Sequence, residues 1–222
     1  MAEQLVIFGS SNILSDLVDC ALACGLAVKA IVTHLPESAG ERDLPLAQRV
    51  AGWRAAGVEA QVLALDDFRP AAGDIYLLGP TTPERAALAE LLRARHGLAF
   101  TTLVHPTAYV SPLATLGAGS FVGANSVIGP GVRLGEHVFV NRGVTVGHDT
   151  VLGDYSRIQP GSNVGGLTRL GRGVTVAIGA TVIERVVVGD GAFIGAGAVV
   201  TADVDPQVLV VGVPARFKKS LA

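Results

Sequence analysis

Residues 121–158 read FVGANSVIGPGVRLGEHVFVNRGVTVGHDTVLGDYSRI, and their aliphatic residues fall on a beat of six. Val122, Ile128, Leu134, Val140, Val146, Leu152 and Ile158 mark it. The beat runs back through Leu116 to Val110. It runs forward through Val164, Leu170, Val176, Val182, Val188, Ile194 and Val200, so all sixteen positions are aliphatic. An amphipathic helix repeats about every 3.6 residues and a strand about every 2, and neither produces this pattern. Glycine often follows the aliphatic residue, as at Gly117, Gly123, Gly129, Gly135, Gly147, Gly153, Gly165, Gly171, Gly189 and Gly195. A small or β-branched residue takes the fifth place, as at Ala114, Ser120, Ser126, Val132, Thr150, Ser156 and Ala198. Each hexad therefore reads as one short strand and a corner, and three hexads close a triangular coil. The aliphatic residue points into the prism, and the coils rise by roughly 4.8 Å each. On this reading the glycine after it supplies backbone angles that other residues resist. A disordered Gly-rich segment lacks such unbroken periodicity. The pattern predicts an all-β parallel β-helix over residues 105–222.

The first 104 residues carry a different rhythm. Leu5-Val6-Ile7-Phe8 is a short apolar strand that ends at Gly9-Ser10-Ser11-Asn12. A helical pattern follows through Leu14, Leu17, Val18, Ala21 and Leu22, with Gly25 as its stop. Val28 to Val32, Gln61 to Leu65, Ile75 to Leu78 and Ala99 to Val104 read as strands, and Pro45 to Ala56 and Pro83 to His96 as helices. Alternating strands and helices predict an α/β, Rossmann-like domain with a parallel sheet over residues 1–104. Ligands of such a sheet bind at the carboxyl ends of its strands. Here that edge carries Gly9, Ser10, Ser11, Asn12 and His34, with Gly79-Pro80-Thr81 beside them. Positions 9–14 read GSSNIL, which lacks the G-x-G-x-x-G fingerprint and argues against NAD. Two readings of the turn stand level: a phosphate or carboxylate seat at a helix N-terminus, or a plain connection capped by Ser and Asn.

Composition narrows the function classes. Of the 222 residues, 50% are apolar and 16% are charged, yet no apolar run reaches 18 residues. A membrane span and a secretory leader are not expected. The net charge of −2 without a basic block argues against nucleic acid as a partner. Cys20 and Cys24 are the only cysteines, too few for a disulfide or zinc framework. The expectation is a cytoplasmic protein.

A short Rossmann-like domain, hexapeptide repeats, the stretch Val144–Tyr155 (VTVGHDTVLGDY) and the closing Val211–Arg216 (VGVPAR) together resemble the sialic acid O-acetyltransferase and sugar-nucleotide N-acetyltransferase family. The resemblance covers essentially the whole chain. It implies a left-handed β-helix, a homotrimer, and acetyl-CoA as the donor substrate bound between neighbouring subunits. It implies that His148 is the general base and that Asp149 orients it. It implies that Gly166, one 18-residue coil beyond His148, offers an amide to the thioester oxygen; a plain corner glycine is the other reading. Ile178, Gly179, Ala196 and Arg216 match positions that hold the pantetheine arm and the nucleotide end of coenzyme A. A nucleotide-linked aminosugar is the default acceptor, with an amine or hydroxyl as nucleophile.

The acceptor half departs from the family. Asn12-Ile13 stands where Gly-His is common, Thr33-His34 where an acidic pair is common, and Arg157 where a second histidine is common. Asp149 is awkward on local grounds, because neighbouring strand residues alternate faces. Of the other histidines, His96 is expected as a cation at a helix end, His137 as solvated, His105 as structural or solvated, and His34 as a candidate substrate contact. Two rivals use the same scaffold. A γ-type carbonic anhydrase needs three histidines around zinc, but His105, His137 and His148 occupy three different hexad positions. A non-catalytic binding scaffold needs no such motif. No resident metal is expected, and a fused nucleotidyltransferase domain would not fit in the N-terminal residues.

Overall fold

The computed structural model describes residues 3–37, 40 and 42–222. The chain packs as two units: residues up to Thr81 with Ala87–Thr101, and Thr82–Ala86 with Thr102–Ala222. The elements up to His96 are β1 (Gln4–Phe8), α1 (Leu14–Ala23), β2 (Ala27–Thr33), α2 (Leu46–Ala55), β3 (Gln61–Ala64), β4 (Asp74–Leu78) and α3 (Arg85–His96).

In the first unit the four strands form a parallel sheet in the order β3-β2-β1-β4. Leu5 to Phe8 are fully buried, as expected of a central parallel strand covered on both faces. Helix α1 buries Leu14, Leu17, Val18 and Ala21, residues three or four apart that share one face. It stops at Gly25, whose φ of +72° is open to glycine. The Leu26 amide closes the end by donating to Ala21 O at 2.9 Å. The expected strand over Ala99–Val104 does not join this sheet. Phe100 makes an isolated bridge to Tyr76, while Leu103–Val104 pairs with Phe121–Val122 in the second unit. Both outcomes suit an apolar run. The beat of six, extended one step back to Val104, decides between them.

The second unit is a parallel β-helix. Strands β5 to β21 are two residues each and step by six from Leu103–Val104 to Val199–Val200. Each pairs with the strand 18 residues away, as Phe121, Phe139 and Arg157 do in turn. Three sheets result: β19-β16-β13-β10-β7, β21-β18-β15-β12-β9-β6, and a third that runs from β5 to β20 by threes. That third sheet is extended by β22 (Val208–Val211) and by β23 (Arg216–Ser220), which is antiparallel. The aliphatic residues from Val122 to Val200 are buried in one continuous core. Most fifth-position residues are buried with them; Ser126 Oγ donates to Asn141 O at 2.7 Å and Thr150 Oγ1 to Gly165 O at 2.9 Å, whereas the buried Ser156 Oγ has no hydrogen-bond partner among the described residues.

The corners correct one expectation. The glycine after each aliphatic residue has no positive φ. It is small because the next coil presses on it: a Cβ on Gly147 would stand 2.5 Å from the Gly166 nitrogen. The left-handed conformation comes two residues later, at every hexad from Gly119 to Gly197, and Asn125, His137, Asp149, Tyr155, Leu167 and Arg185 adopt it as well as glycines. Among the described residues no helix is long and apolar enough to cross a membrane.

Candidate active site

The corner after β12 (Thr145–Val146) carries Gly147-His148-Asp149-Thr150. In extended backbone, His148 and Asp149 would face opposite ways. Asp149 instead has a φ of +56°, and this left-handed turn brings its side chain round to the imidazole. The turn is pinned on both sides. The Asp149 amide donates to Pro130 O at 2.9 Å, and His148 O accepts the Leu167 amide at 2.8 Å. Asp149 Oδ2 then lies 2.9 Å from His148 Nδ1. An ionised carboxylate only accepts, so Nδ1 carries a proton, and in the neutral ring the lone pair is then on Nε2. The two side chains are 59% and 60% exposed. An ion pair so wet contributes little to stability, which leaves orientation of the ring as its physical consequence.

Gly166 lies against the far edge of that ring. A Cβ added there would stand 2.7 Å from His148 Nε2 and 2.9 Å from Cδ2. Its amide makes no protein hydrogen bond among the described residues. The equivalent amide is capped at three corners, Glu136 N by Asp154 Oδ1 at 2.8 Å, Arg172 N by Asp190 Oδ1 at 2.9 Å and Arg142 N by Asn141 Oδ1 at 2.8 Å, while at Ile178 and Glu184 it is open among the described residues, as at Gly166. The Nε2 edge of the imidazole and the Gly166 backbone thus lie side by side, and a base and an amide donor are the two groups that a proton transfer beside a developing oxyanion needs.

Ile178, Gly179 and Ala196 form a separate group. They follow β17 (Thr175–Val176) and β20 (Phe193–Ile194), at a different edge of the prism from His148. Ile178 and Ala196 stack one coil apart, with Gly197 N donating to Ile178 O at 2.9 Å. Ile178 is 61% exposed and Gly179 turns at a φ of +67°. Arg216 opens β23, exposed, with Nη1 on Ala215 O at 2.8 Å. The chain therefore unites His148, Asp149 and Gly166 but keeps Ile178, Gly179 and Ala196 at another corner.

The carboxyl edge of the first unit gathers most of the residues expected there. Gly9 has a φ of +86°, and a Cβ on it would lie 2.7 Å from Pro80 Cδ and 3.2 Å from His34 Cε1. Ser11 Oγ donates to Gly79 O at 2.8 Å. Ser10 sits half-exposed between them. Asn12 Nδ2 donates to Asp43 Oδ1 at 2.7 Å, and Asn12 Oδ1 accepts from Arg49 Nη2 at 2.8 Å. Arg49 Nη1 also reaches Asn12 O and Ser15 Oγ, at 3.2 and 2.9 Å. Gly40 N, Asn12 and Arg49 hold the Asp43 carboxyl below its ordinary range. Arg49 and Asp43 were not foreseen: they lie 37 and 31 residues from Asn12 in sequence, and no local pattern marks them. Burial holds His34 below the usual imidazole value, so the ring is neutral near pH 7.

Two histidine expectations fail. His137 is buried, not solvated. Its φ of +53° lays the ring along the prism, where it stacks on Tyr155 at 5.0 Å. His96 is not a helix-end cation. Burial, with Arg95 and Arg69, lowers its pKa, and the ring packs edge-on against Phe68 at 5.4 Å. His105 is half-buried, with Nδ1 2.8 Å from Thr107 Oγ1. Arg157 is half-buried, donates from Nε to Thr175 Oγ1 at 3.0 Å, and is lowered by burial against the pull of Glu84. Among the described residues no three His, Cys, Asp or Glu side chains gather as a metal site.

Comparison with known proteins agrees with this geometry. Residues 113–147, 131–166 and 168–202 match the family described as bacterial transferase hexapeptide (six repeats). No curated protein sequence matches the chain. Among solved structures, a histidine-to-alanine mutant of GDP-perosamine N-acetyltransferase from Caulobacter crescentus, in complex with CoA and GDP-perosamine, is 28% identical, with 99% of each chain covered and a TM-score of 0.84. The acetyltransferase domain of PglB from Neisseria gonorrhoeae, in complex with acetyl coenzyme A, is 26% identical, with 98% of this chain and 100% of that chain covered and a TM-score of 0.80. WeeI from Acinetobacter baumannii, at 22% identity, 98% and 100% coverage and a TM-score of 0.75, shares the fold. The matched hexapeptide repeats and the His-Asp corner thus lie in a chain that is similar over its whole length to two acetyltransferases, one of them a sugar-nucleotide N-acetyltransferase.

Proposed function

We propose that the protein transfers the acetyl group of acetyl-CoA to the amine of a nucleotide-linked aminosugar, with His148 as general base. The observation that carries this reading is the corner where Asp149 Oδ2 stands 2.9 Å from His148 Nδ1 and Gly166 borders Nε2. The amine gives a proton to Nε2 as its nitrogen attacks the thioester carbon. The new N–C bond forms, and the carbonyl oxygen gains charge opposite the open Gly166 amide. The tetrahedral species then expels the sulfur, which takes the proton back from the imidazolium and leaves as CoA thiol. Asp149 keeps the ring in the tautomer and orientation this requires. No covalent intermediate on the protein is needed, and both cysteines, Cys20 and Cys24, lie in α1 or at its end.

CoA in the relatives supports the donor, and GDP-perosamine in one of them supports a nucleotide-linked aminosugar as acceptor. On this reading the coil winds left-handed and the first unit is a Rossmann-like acceptor domain. Its edge at Gly9, Ser10, Ser11, Asn12 and His34 receives the nucleotide. Because Ile178, Gly179 and Ala196 sit at another corner from His148, a homotrimer completes each site, one protomer giving His148 and Gly166 and its partner the pantetheine-binding corner, with Arg216 toward the nucleotide end of CoA. A CoA-release assay over nucleotide-linked aminosugars, free sugars and amino acids tests the function. Release with a nucleotide-linked aminosugar, abolished in His148→Ala, is the expected result. No release with any acceptor would return the chain to the class of binding scaffolds.

A further inference from the structure

The Asp149 carboxylate lies over Gly131, one coil before it. A Cβ on Gly131 would overlap Asp149 Oδ1, and would lie 3.2 Å from Cγ and 3.5 Å from Cα. On the next coil, a Cβ on Gly166 would press on His148 Nε2 at 2.7 Å. The two halves of the dyad thus occupy a slot bordered by glycines on the coils to either side. Gly131 shares the left-handed conformation of its corner column, with a φ of +70° where Asp149 has +56°. Backbone conformation alone does not demand glycine there, since the equivalent corner residue Asn125 stands at a φ of 57°. What Gly131 adds is empty space.

We propose that Gly131 is a positioning residue for the reaction: its bare Cα is the floor on which the Asp149 carboxylate rests so that Oδ2 meets His148 Nδ1. This rests on the reading of His148 and Asp149 as the catalytic pair. A side chain at 131 meets the free end of a two-torsion carboxylate, not backbone. The carboxylate swings away at little cost to the fold and carries the imidazole's partner with it. The effect falls on function while stability changes little.

Gly173 is the matched control. Its φ is +66°, and a Cβ on it would make an ordinary 3.4 Å contact with Pro83, so Gly173→Ala reports the strain of placing alanine in a left-handed corner. Gly131→Asn is a second probe, since asparagine tolerates this conformation. The experiment compares Gly131→Ala, Gly131→Asn, Gly173→Ala, Asp149→Asn and Gly131→Ala/Asp149→Asn. It reads kcat and KM with acetyl-CoA and GDP-perosamine, and the His148 tautomer by ¹⁵N NMR, which needs no acceptor. The expected result is that Gly131→Ala and Gly131→Asn lower kcat about tenfold or more, part of what a positioned base contributes. KM for acetyl-CoA holds, the Nδ1-protonated tautomer of His148 is depleted as in Asp149→Asn, and the double variant is no slower than Asp149→Asn. Gly173→Ala matches the wild type in both readouts. Gly131 variants that behave like Gly173→Ala while Asp149→Asn loses rate and tautomer would overturn the role of Gly131 and leave the pair intact. An Asp149→Asn protein with wild-type rate and tautomer would overturn the pair itself.

Discussion

His148 and Asp149 are adjacent in sequence, and an extended chain would part them. One left-handed residue, Asp149 at a φ of +56°, brings them together. That conformation costs an L-residue roughly 1–2 kcal/mol, and neighbouring coils hold it through Pro130 O and the Leu167 amide. The histidine itself was legible, because the stretch around it matches a known motif. The reach of Asp149 was legible from that same motif alone, since strand alternation argues against it unless the backbone turns there. Arg49 was illegible, because its partners Asn12 and Ser15 come from a different element. Two outcomes belong to this scale. Gly166→Ala should cut kcat about tenfold or more through displacement of the imidazole, with a wild-type CD spectrum; steady-state kinetics checks it. His34 has its pKa below the ordinary value of about 6.5. As pH falls past that value the unfolded chain takes up the proton first, so stability should drop until the folded value is passed. Urea midpoints at about pH 7.5 and 5.5 should differ less in His34→Gln than in the wild type.

Strands of two residues have no stability of their own, and the element that matters is the ladder. Its inward position was readable from Val110 to Val200 because the aliphatic side chains there stack in one continuous core. Its corners were misread because the left-handed place is filled by residues as unlike as Tyr155, Leu167, Arg185 and Gly197, and carries no common chemistry. The glycines that do recur are set by coil-to-coil contact, as Gly147 shows. The strand at Ala99–Val104 was misassigned because apolar content says nothing of which sheet a segment joins. Within the second unit, buried Arg85 donates from Nη2 to His137 O and, at 3.2 Å, to Ser156 O, and from Nη1 to Thr82 O at 2.9 Å. Burial, then Arg157, lowers its pKa to about 9, so it stays charged near pH 7. Arg85→Met should leave these carbonyls short of a donor and cost about 1–3 kcal/mol, read as a lower urea midpoint without loss of β content by CD.

At the scale of the molecule, the proposed function gives the donor to the repeats and the acceptor to the first unit. The repeat half carries the motif of the resemblance at His148, Asp149 and the closing VGVPAR stretch, while the carboxyl edge of the first unit carries Asn12, Ile13 and His34, where the resemblance leads one to expect other residues. Those departures, with Arg49 and Asp43 beside them, are where acceptor choice is expected to reside. The separation of the His148 corner from that of Ile178 and Ala196 predicts a trimer by sedimentation equilibrium; a monomer that turns over at the full rate would contradict the shared site. The most direct test of the central claim is the kcat of His148→Ala, for acetyl transfer from acetyl-CoA to the best nucleotide-linked aminosugar. A fall of about 10²–10⁴ with the fold and trimer intact is predicted for loss of the general base, and turnover at the wild-type rate would contradict it.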